Sequence, residues 1–516
     1  MKPVLCISFR FIQPFPLFHG RKETGDSEWP PSPLRAFQAI VNAACLLERG
    51  KSLPPEIQQV LQALEMVQPE IMVPEGEPTT VGHRAYVPHN HMDLVTAAWH
   101  RGDVEANIAG HRVEKDYRPI RMEAPDQSLP VLHYLYSLES VDLNPVDLLN
   151  AIRPIARAVT HLGWGIDQVA GDAILVDQAE ESLTGTRWLP ADQTGRRLRT
   201  PRNGTLSALT RRYGQFLNRL HEGWTSVSPL TDDDVAQARY RPENSPRPRP
   251  FAVFRLVDEN DDTVAYPQRQ IIHLAGMVRH LAIRLMKQNP PIDLRGWSVE
   301  EWLDEYVAGH QNPEKSAVNL PHQQFSYVPL PSIGHYHADP AIRRIMIIAP
   351  TGDEAWLSSL ARRLQEQLLQ PDERTKLPRG TRLQLIAERQ HDGVRDLYCD
   401  VSRTWASVTP VILPGYDDHR PAKTRRLIEK ALLQSGIDQK CEYEWSPFPY
   451  FPKSLTAHKY GRDKQLSGYI RPDHLLNQTA VHLKLFFQDQ AIISGPLTIG
   501  AGRHCGFGLM AGVRNF

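Results

Sequence analysis

The chain opens on alternating positions: Val4–Ile12 sets Leu5, Ile7, Phe9 and Phe11 against Cys6, Ser8 and Arg10, a period of two that predicts a strand. A loop with Pro14 and Pro16 follows, then Trp29-Pro30-Pro31-Ser32-Pro33. Apolar residues spaced by three and four over Leu34–Leu47 predict a helix after those prolines. Pro145–Leu162 reads as a second helix and Trp164–Val176 as another strand region. Strand, proline-rich loop and helix open a ferredoxin-like βαββαβ unit, and an ordinary α+β domain opens the same way.

The pattern restarts near residue 250. Phe251–Val257 predicts a strand, Asp258–Thr263 a turn, and Gln268–Lys287 a strongly periodic helix. Pro329–Ile333 and Ile342–Ile348 read as strands around the polar run Gly334–Pro340. Further on come a helix at Glu354–Gln370, strands at Arg382–Glu388 and Thr404–Leu413, and a helix at Lys423–Ser435. Val481–Phe487 and Gln490–Ile493 read as a hairpin. The fold class is therefore α+β, with room for two ferredoxin-like (RRM-like) units in the second half. Two polar stretches interrupt the pattern. Residues 75–130, rich in His, Pro and Gly, read as a long insertion or ordered loop. Residues 229–250 are turn-rich and proline-laden, which sets a domain boundary and gives domains 1–245 and 246–516.

Composition changes this picture little. At 516 residues the chain exceeds one core, and 41% hydrophobic with 23% charged residues is ordinary for a globular protein. No apolar run approaches the roughly 20 residues of a membrane helix, and the first residues lack a signal-peptide core, so a cytoplasmic location without membrane partners is expected. The five cysteines contain no CxxC pair, which argues against a zinc ribbon or disulfide framework. Charge matters more. Lys+Arg and Asp+Glu are equal at 59 each, a balance that favours a narrow groove over a broadly basic surface for any nucleic acid. The best basic cluster is 195–212, with Arg196, Arg197, Arg199, Arg202, Arg211 and Arg212. A phosphate-contacting role and a solvated face are both open there.

The sharpest motif is Gly495-Pro496-Leu497-Thr498-Ile499-Gly500-Ala501-Gly502-Arg503-His504-Cys505-Gly506-Phe507-Gly508-Leu509. Glycines at 500, 502, 506 and 508 let backbone N–H groups approach a phosphate, with Arg503 and His504 as added donors. The run is neither a P-loop nor a dinucleotide fingerprint.

This terminal run resembles the glycine-rich loop of the RAMP superfamily of CRISPR proteins, in particular the crRNA-processing Cas-six branch. Glu28-Trp29-Pro30-Pro31-Ser32-Pro33, Pro329-Leu330-Pro331-Ser332-Ile333-Gly334-His335 with His337-Ala338-Asp339, and Trp405-Ala406-Ser407-Val408-Thr409-Pro410 extend the likeness. Together they resemble the fused Cas-five/Cas-six proteins of type I-G (formerly I-U) systems, also called Csb-two. The resemblance implies tandem ferredoxin-like domains of the RAMP type. Domain 1–245 would hold the crRNA 5′ handle and 246–516 would cut precursor crRNA. It also implies metal-independent, cofactor-free attack of a 2′-hydroxyl on the adjacent phosphate, leaving a 2′,3′-cyclic phosphate. The implied partners are crRNA and its precursor, a Cas-seven-type backbone subunit, a large subunit, and a helicase-nuclease recruited on target DNA.

Such chemistry needs a base, an acid and positive charge, and histidine suits both proton roles at neutral pH. In the family the active histidine often lies on or beside the first helix of the nuclease. Here that helix holds His273 and His280, seven residues apart and so on one face, with Arg279 and Arg284 as cations. His322 and His337 are further catalytic candidates, and His310 and His335 sit in comparable polar loops. Lys459, beside His458, Tyr460, Arg462 and Lys464, is a candidate RNA contact. Trp29 is either a base-stacking residue or a packing anchor. Two other readings stay open: a crRNA-binding subunit that does not cut, and a metal hydrolase built on His335-Tyr336-His337-Ala338-Asp339.

Overall fold

Leu5, Ile7, Phe9 and Phe11 are all fully buried, as the alternation requires, and they line one face of strand β1 (Val4–Phe11). Burying each such side chain stabilises the fold by roughly 1.5–3 kcal/mol. The computed structural model describes residues 3–13, 15–22, 25–49, 52–89, 92–107, 112–123, 128–176, 183–219, 227–310, 324–333, 338–339, 341–371, 375–388, 390–458, 467–488 and 491–513. The chain forms two units, Met1–Ala191 with Arg197–Glu243, and Asp192–Arg196 with Asn244–Phe516.

In the first unit β1 leads to helix α1 (Pro33–Leu47), whose Leu34, Phe37, Ile40 and Val41 are buried. Its start is tied down by Glu28, which accepts from Ser32 N–H at 2.7 Å and pairs with Arg35 at 3.1 Å. Trp29 is 6% exposed, with its ring 6.1 Å from that of Phe18, and is therefore a packing anchor. Strand β2 (Glu70–Val73) follows, then a hairpin of β3 (His83–Pro88) and β4 (Arg112–Tyr117), paired from His83↔Tyr117 to Pro88↔Arg112. The stretch expected to be a long insertion or ordered loop is an insertion with its own antiparallel hairpin and a helix at Met92–His100. Next come β5 (Val131–Ser137), α2 (Pro145–Arg157) and β6 (Val169–Val176). The strands run β2-β5-β1-β6 and those pairings are antiparallel, the order of a ferredoxin-like βαββαβ unit. Three strands extend the sheet beyond β2: β7 (Thr186–Ala191), β8 (Arg196–Thr200) and β9 (Ala236–Pro242), in the order β8-β9-β7-β2.

The second unit repeats the succession. β10 (Phe251–Val257), α3 (Ile271–Gln288), β11 (Ser326–Pro331), β12 (Ala341–Ile348), α4 (Glu354–Leu364) and β13 (Arg382–Leu385) pair as β11-β12-β10-β13. A third sheet follows from β14 (Thr404–Ser407), α5 (Pro421–Gln434), β15 (Cys441–Ser446), β16 (Ala480–Phe487) and β17 (Met510–Gly512), paired as β15-β16-β14-β17. Where the succession would place its second helix, the chain instead runs through the glycine-rich segment. Phe254, Leu256, Ile345 and Ile347 face the helices α3 and α4. Their strand neighbours Val253, Val328, Met346 and Ile348 meet Ala406, Val408, Leu509 and Ala511 of the third sheet in one apolar cluster.

Several boundaries differ from expectation. Glu354–Gln370 ends as a helix at Leu364, because Glu366 N–H and Leu369 N–H turn to the carbonyls of Leu383 and Thr381. Thr404–Leu413 is two strands, broken where Pro410 interrupts the ladder. Among the described residues the expected hairpin does not form: Ile493–Ser494 pairs with Val401–Ser402, and β16 pairs with β14 and β15. Among the described residues no helix is long and apolar enough to cross a membrane.

Candidate active site

Helix α3 forms because Ile271, Leu274, Ala275, Val278, Leu281, Ala282 and Met286 recur at helical spacing and bury against the second sheet. Its start is pinned from outside: Gln268 Nε2 donates to the Tyr469 hydroxyl at 2.6 Å, and Ile470 N–H to Arg269 O at 3.0 Å. The flank beside the buried stripe carries His273, Gly276, His280 and Arg284, which with Leu368 and Gln370 line a cleft of about 280 Å³. His280 is exposed and His273 half-buried. Seven residues of helical rise set their backbones about 10 Å apart along the axis. A β-carbon added at Gly276 would meet nothing, so the glycine leaves the floor between the two histidines open.

Arg279 lies outside this cleft; it is exposed and donates to Ala308 O at 3.3 Å. His310 is paired with Asp304 at 2.7 Å. His322, His335, His337, Lys459, Tyr460, Arg462 and Lys464 lie outside the described residues. Asp339, the acidic member of the HYHAD run, binds Arg343 through both oxygens, and that guanidinium holds its carboxyl below the usual range.

The glycine-rich segment turns inward. Gly508 N–H donates to Pro410 O at 2.9 Å, Ile499 N–H to Gly508 O at 2.9 Å and Ala501 N–H to Ile412 O at 2.8 Å. Gly500 N–H points to Ser435 Oγ at 3.3 Å. Gly500, Gly502, Gly506 and Gly508 are all buried. At Gly508 (φ +65°) a β-carbon would fall inside contact distance of Ile499 O, and at Gly500 (φ +93°) within 2.5 Å of Ile412 O. These glycines therefore serve close backbone packing, and the amides of Gly500 and Gly508 are engaged within the fold. At Gly506 a β-carbon would lie 2.9 Å from Pro329 on β11 and 3.5 Å from Ile271, so the loop seats on the first turn of α3.

Its charged residues differ in kind. His504 shares a hydrogen bond between Nδ1 and Ser326 Oγ at 2.8 Å. Burial, then the charges of Arg503 and Arg249, hold its imidazole neutral at physiological pH. Arg503 donates to Gly500 O at 3.0 Å, and its Nε is buried with no partner. Burial brings its pKa down to about 10. Arg249 donates to Thr498 Oγ1 at 2.9 Å, and burial and the Arg503 charge pull it down to about 9. Sequence reasoning missed Arg249, which sits in an Arg-Pro-Arg-Pro run that reads as linker, and Leu368 and Gln370, which arrive from beyond α4. No local signal marks them.

The other basic cluster divides. Arg196 donates to Val401 O at 3.0 Å and lies 3.8 Å from Asp400. Arg197 and Arg199 lie along β8, half-buried and engaged. Arg211 pairs with Asp234 at 3.0 Å.

Residues 11–512 match the family described as CRISPR-associated protein, GSU0054 family. No curated protein matches the sequence. Among solved structures the chain is similar to the crystal structure of Cas6b, at 14% identity over 51% of this chain and 99% of that one, with a TM-score of 0.26. It is similar to a CRISPR associated protein Cas6 at 11% identity, over 51% and 99%, with a TM-score of 0.27. A CRISPR protein from Archaeoglobus fulgidus is similar at 11% identity over 39% and 69%, with a TM-score of 0.18.

Proposed function

The chain belongs to the CRISPR-associated GSU0054 family, and on that premise we propose that it cuts precursor crRNA within its repeats and keeps hold of the product. In this reading it is a fused Cas-five/Cas-six protein of type I-G systems, built from tandem RAMP-type ferredoxin-like units. Residues 1–245 hold the 5′ handle and 246–516 cut. The observation that carries the reading is the cleft on α3, with His273 and His280 on one face and Arg284 one turn beyond.

The three side chains account for the chemistry without a metal. One imidazole, as free base, takes the 2′-hydroxyl proton as that oxygen bonds to the adjacent phosphorus. The bond from phosphorus to the 5′-oxygen breaks, and the second imidazole, as imidazolium, protonates the leaving oxygen. Arg284 offsets the charge on the phosphorane. The products are a 2′,3′-cyclic phosphate and a 5′-hydroxyl, with the two imidazoles left in exchanged protonation states. Arg503, through its unpartnered Nε, and Arg249 add positive charge at the terminal loop. The complex partners are those of the resemblance: a Cas-seven-type backbone subunit, a large subunit, and a helicase-nuclease recruited on target DNA.

The test is cleavage of labelled cognate repeat RNA in EDTA, comparing wild type with His280→Ala. Cleavage in EDTA with a cyclic-phosphate end, lost about a hundredfold or more in the variant with RNA affinity kept, supports the reading. Undiminished cleavage by the variant moves the chemistry to His273 or the 310–337 segment. A wild type that binds the repeat and never cuts it is a structural crRNA-holding subunit.

A further inference from the structure

The first unit gathers four rings from four distant segments around one arginine. His19 is 5% exposed and its Nδ1 meets the fully buried carboxylate of Asp167 at 2.5 Å, while its backbone N–H also donates to Asp167, at 3.1 Å. The His19 ring lies 6.4 Å from Trp164 with planes 23° apart, and 5.1 Å from Tyr117, edge on. Tyr117 lies 5.3 Å from Trp164, and His83, its partner across the β3–β4 hairpin, stacks on it at 6.2 Å and 23°. Arg21 lies over both rings, its Cζ 5.7 Å from Tyr117 and 5.9 Å from Trp164.

Two features separate this cluster from a small apolar core. Its outer members reach solvent: Trp164 and Tyr117 are half-buried and His83 is exposed. Its cation is unsatisfied: Arg21 Nε is buried without a hydrogen-bond partner, and among the described residues no carboxylate pairs with it. The nearby Asp167 is already engaged by His19. A guanidinium held over two rings, with donor capacity left over, meets a phosphate as naturally as the rings meet a planar base. Stacking of bases on aromatic side chains beside a cation is how single-stranded nucleic acid is held without base pairing.

Resting on the reading of the chain as RNA-binding, we infer that Trp164, Tyr117, His83 and Arg21 form a nucleotide site for single-stranded RNA in the first unit. One base stacks on the indole of Trp164 and its phosphate meets Arg21. His19 and Asp167 are positioning residues that hold the Trp164 loop and the segment carrying Arg21 in place. The 75–130 stretch, which the catalytic reading leaves without a role, supplies His83 and Tyr117.

The experiment uses the full chain and cognate repeat RNA substituted with 4-thiouridine, irradiated, digested and mapped by mass spectrometry, together with anisotropy titrations of Trp164→Ala, Trp164→Phe and Arg21→Gln. Crosslinks are expected on Trp164, Tyr117 or His83. Trp164→Ala should weaken binding about tenfold or more, and Trp164→Phe should restore most of it. Arg21→Gln should lower the slope of log affinity against log salt by about 0.7, the signature of one lost phosphate contact on a single strand. Crosslinks confined to other segments, with Trp164→Ala binding within twofold of wild type, overturn this site and leave the nuclease reading intact. Failure of the wild-type chain to bind the RNA overturns both. Melting curves matching wild type show that an affinity loss is not unfolding.

Discussion

Replacing one glycine of the terminal loop and one of helix α3 by alanine should have opposite effects. At Gly508 the backbone sits at φ +65°, where an L side chain costs about 1–2 kcal/mol. The new β-carbon also collides with the Ile499 carbonyl, a backbone atom that cannot swing away as a side chain would. Relief requires moving the strand-like exchange in which Ile499 N–H donates to Gly508 O and Gly508 N–H donates to Pro410 O. Losing one such buried bond adds about 1–3 kcal/mol. Gly508→Ala should thus destabilise the third sheet by about 3 kcal/mol, a roughly hundredfold rise in the population of its open form. Gly276→Ala meets no neighbour and relieves a glycine inside a helix, so it should stabilise α3 by up to about 1 kcal/mol. Hydrogen exchange followed by mass spectrometry reads each effect locally, in peptides covering 404–412 and 480–487 for the first and 271–288 for the second. Unchanged protection of the third sheet in Gly508→Ala, or equal losses from both substitutions, would refute the packing account of the loop.

Three other outcomes follow from the same geometry. His273→Ala and His280→Ala should each slow cleavage by about 10²–10⁴ while RNA affinity stays within about threefold, read by single-turnover kinetics beside anisotropy. His133, buried in the first sheet and hydrogen-bonded to Ser8 at 2.7 Å, is brought from 6.5 down to about 4, by burial and then by Arg10. The unfolded state therefore binds more protons between pH 6.5 and 4, and the first unit should lose about 3 kcal/mol of stability as pH falls through that window. Denaturation midpoints of wild type and His133→Gln at pH 7 and 4.5 check this; an equal acid shift in both excludes His133 as the cause. Trp29→Ala should cost about 3–5 kcal/mol, seen as a lowered melting temperature of the first unit, with cleavage at saturating RNA unchanged below that melt.

What the sequence disclosed depended on whether neighbours in the chain settle the matter. The helix at Gln268–Lys287 was legible because seven apolar residues recur at one spacing, and the same spacing placed His273 and His280 together. The strand at Phe251–Val257 was equally plain. The wall opposite those histidines was hidden, since Leu368 and Gln370 return only because 366–369 pairs with β13, a tertiary event. The same event explains why the helix begun at Glu354 stops early. The terminal glycines announced a tight loop, but nothing local says whether such a loop turns its amides outward or into its own sheet. The nucleotide site in the first unit was hidden for the plainest reason, since His19, His83, Tyr117 and Trp164 are each ordinary where they stand.

The apolar cluster joining Val253, Val328, Met346 and Ile348 to Ala406, Val408, Leu509 and Ala511 also governs how this protein can be dissected. Each sheet of the second unit uses its partner as a lid, so a fragment ending near residue 400 exposes an unpaired hydrophobic face on both products. Such pieces should aggregate when expressed singly and recover only when produced together. Engineering that swaps one of the two sheets must carry the facing side chains along with it. Over evolution, gene fission inside this unit is correspondingly unfavourable.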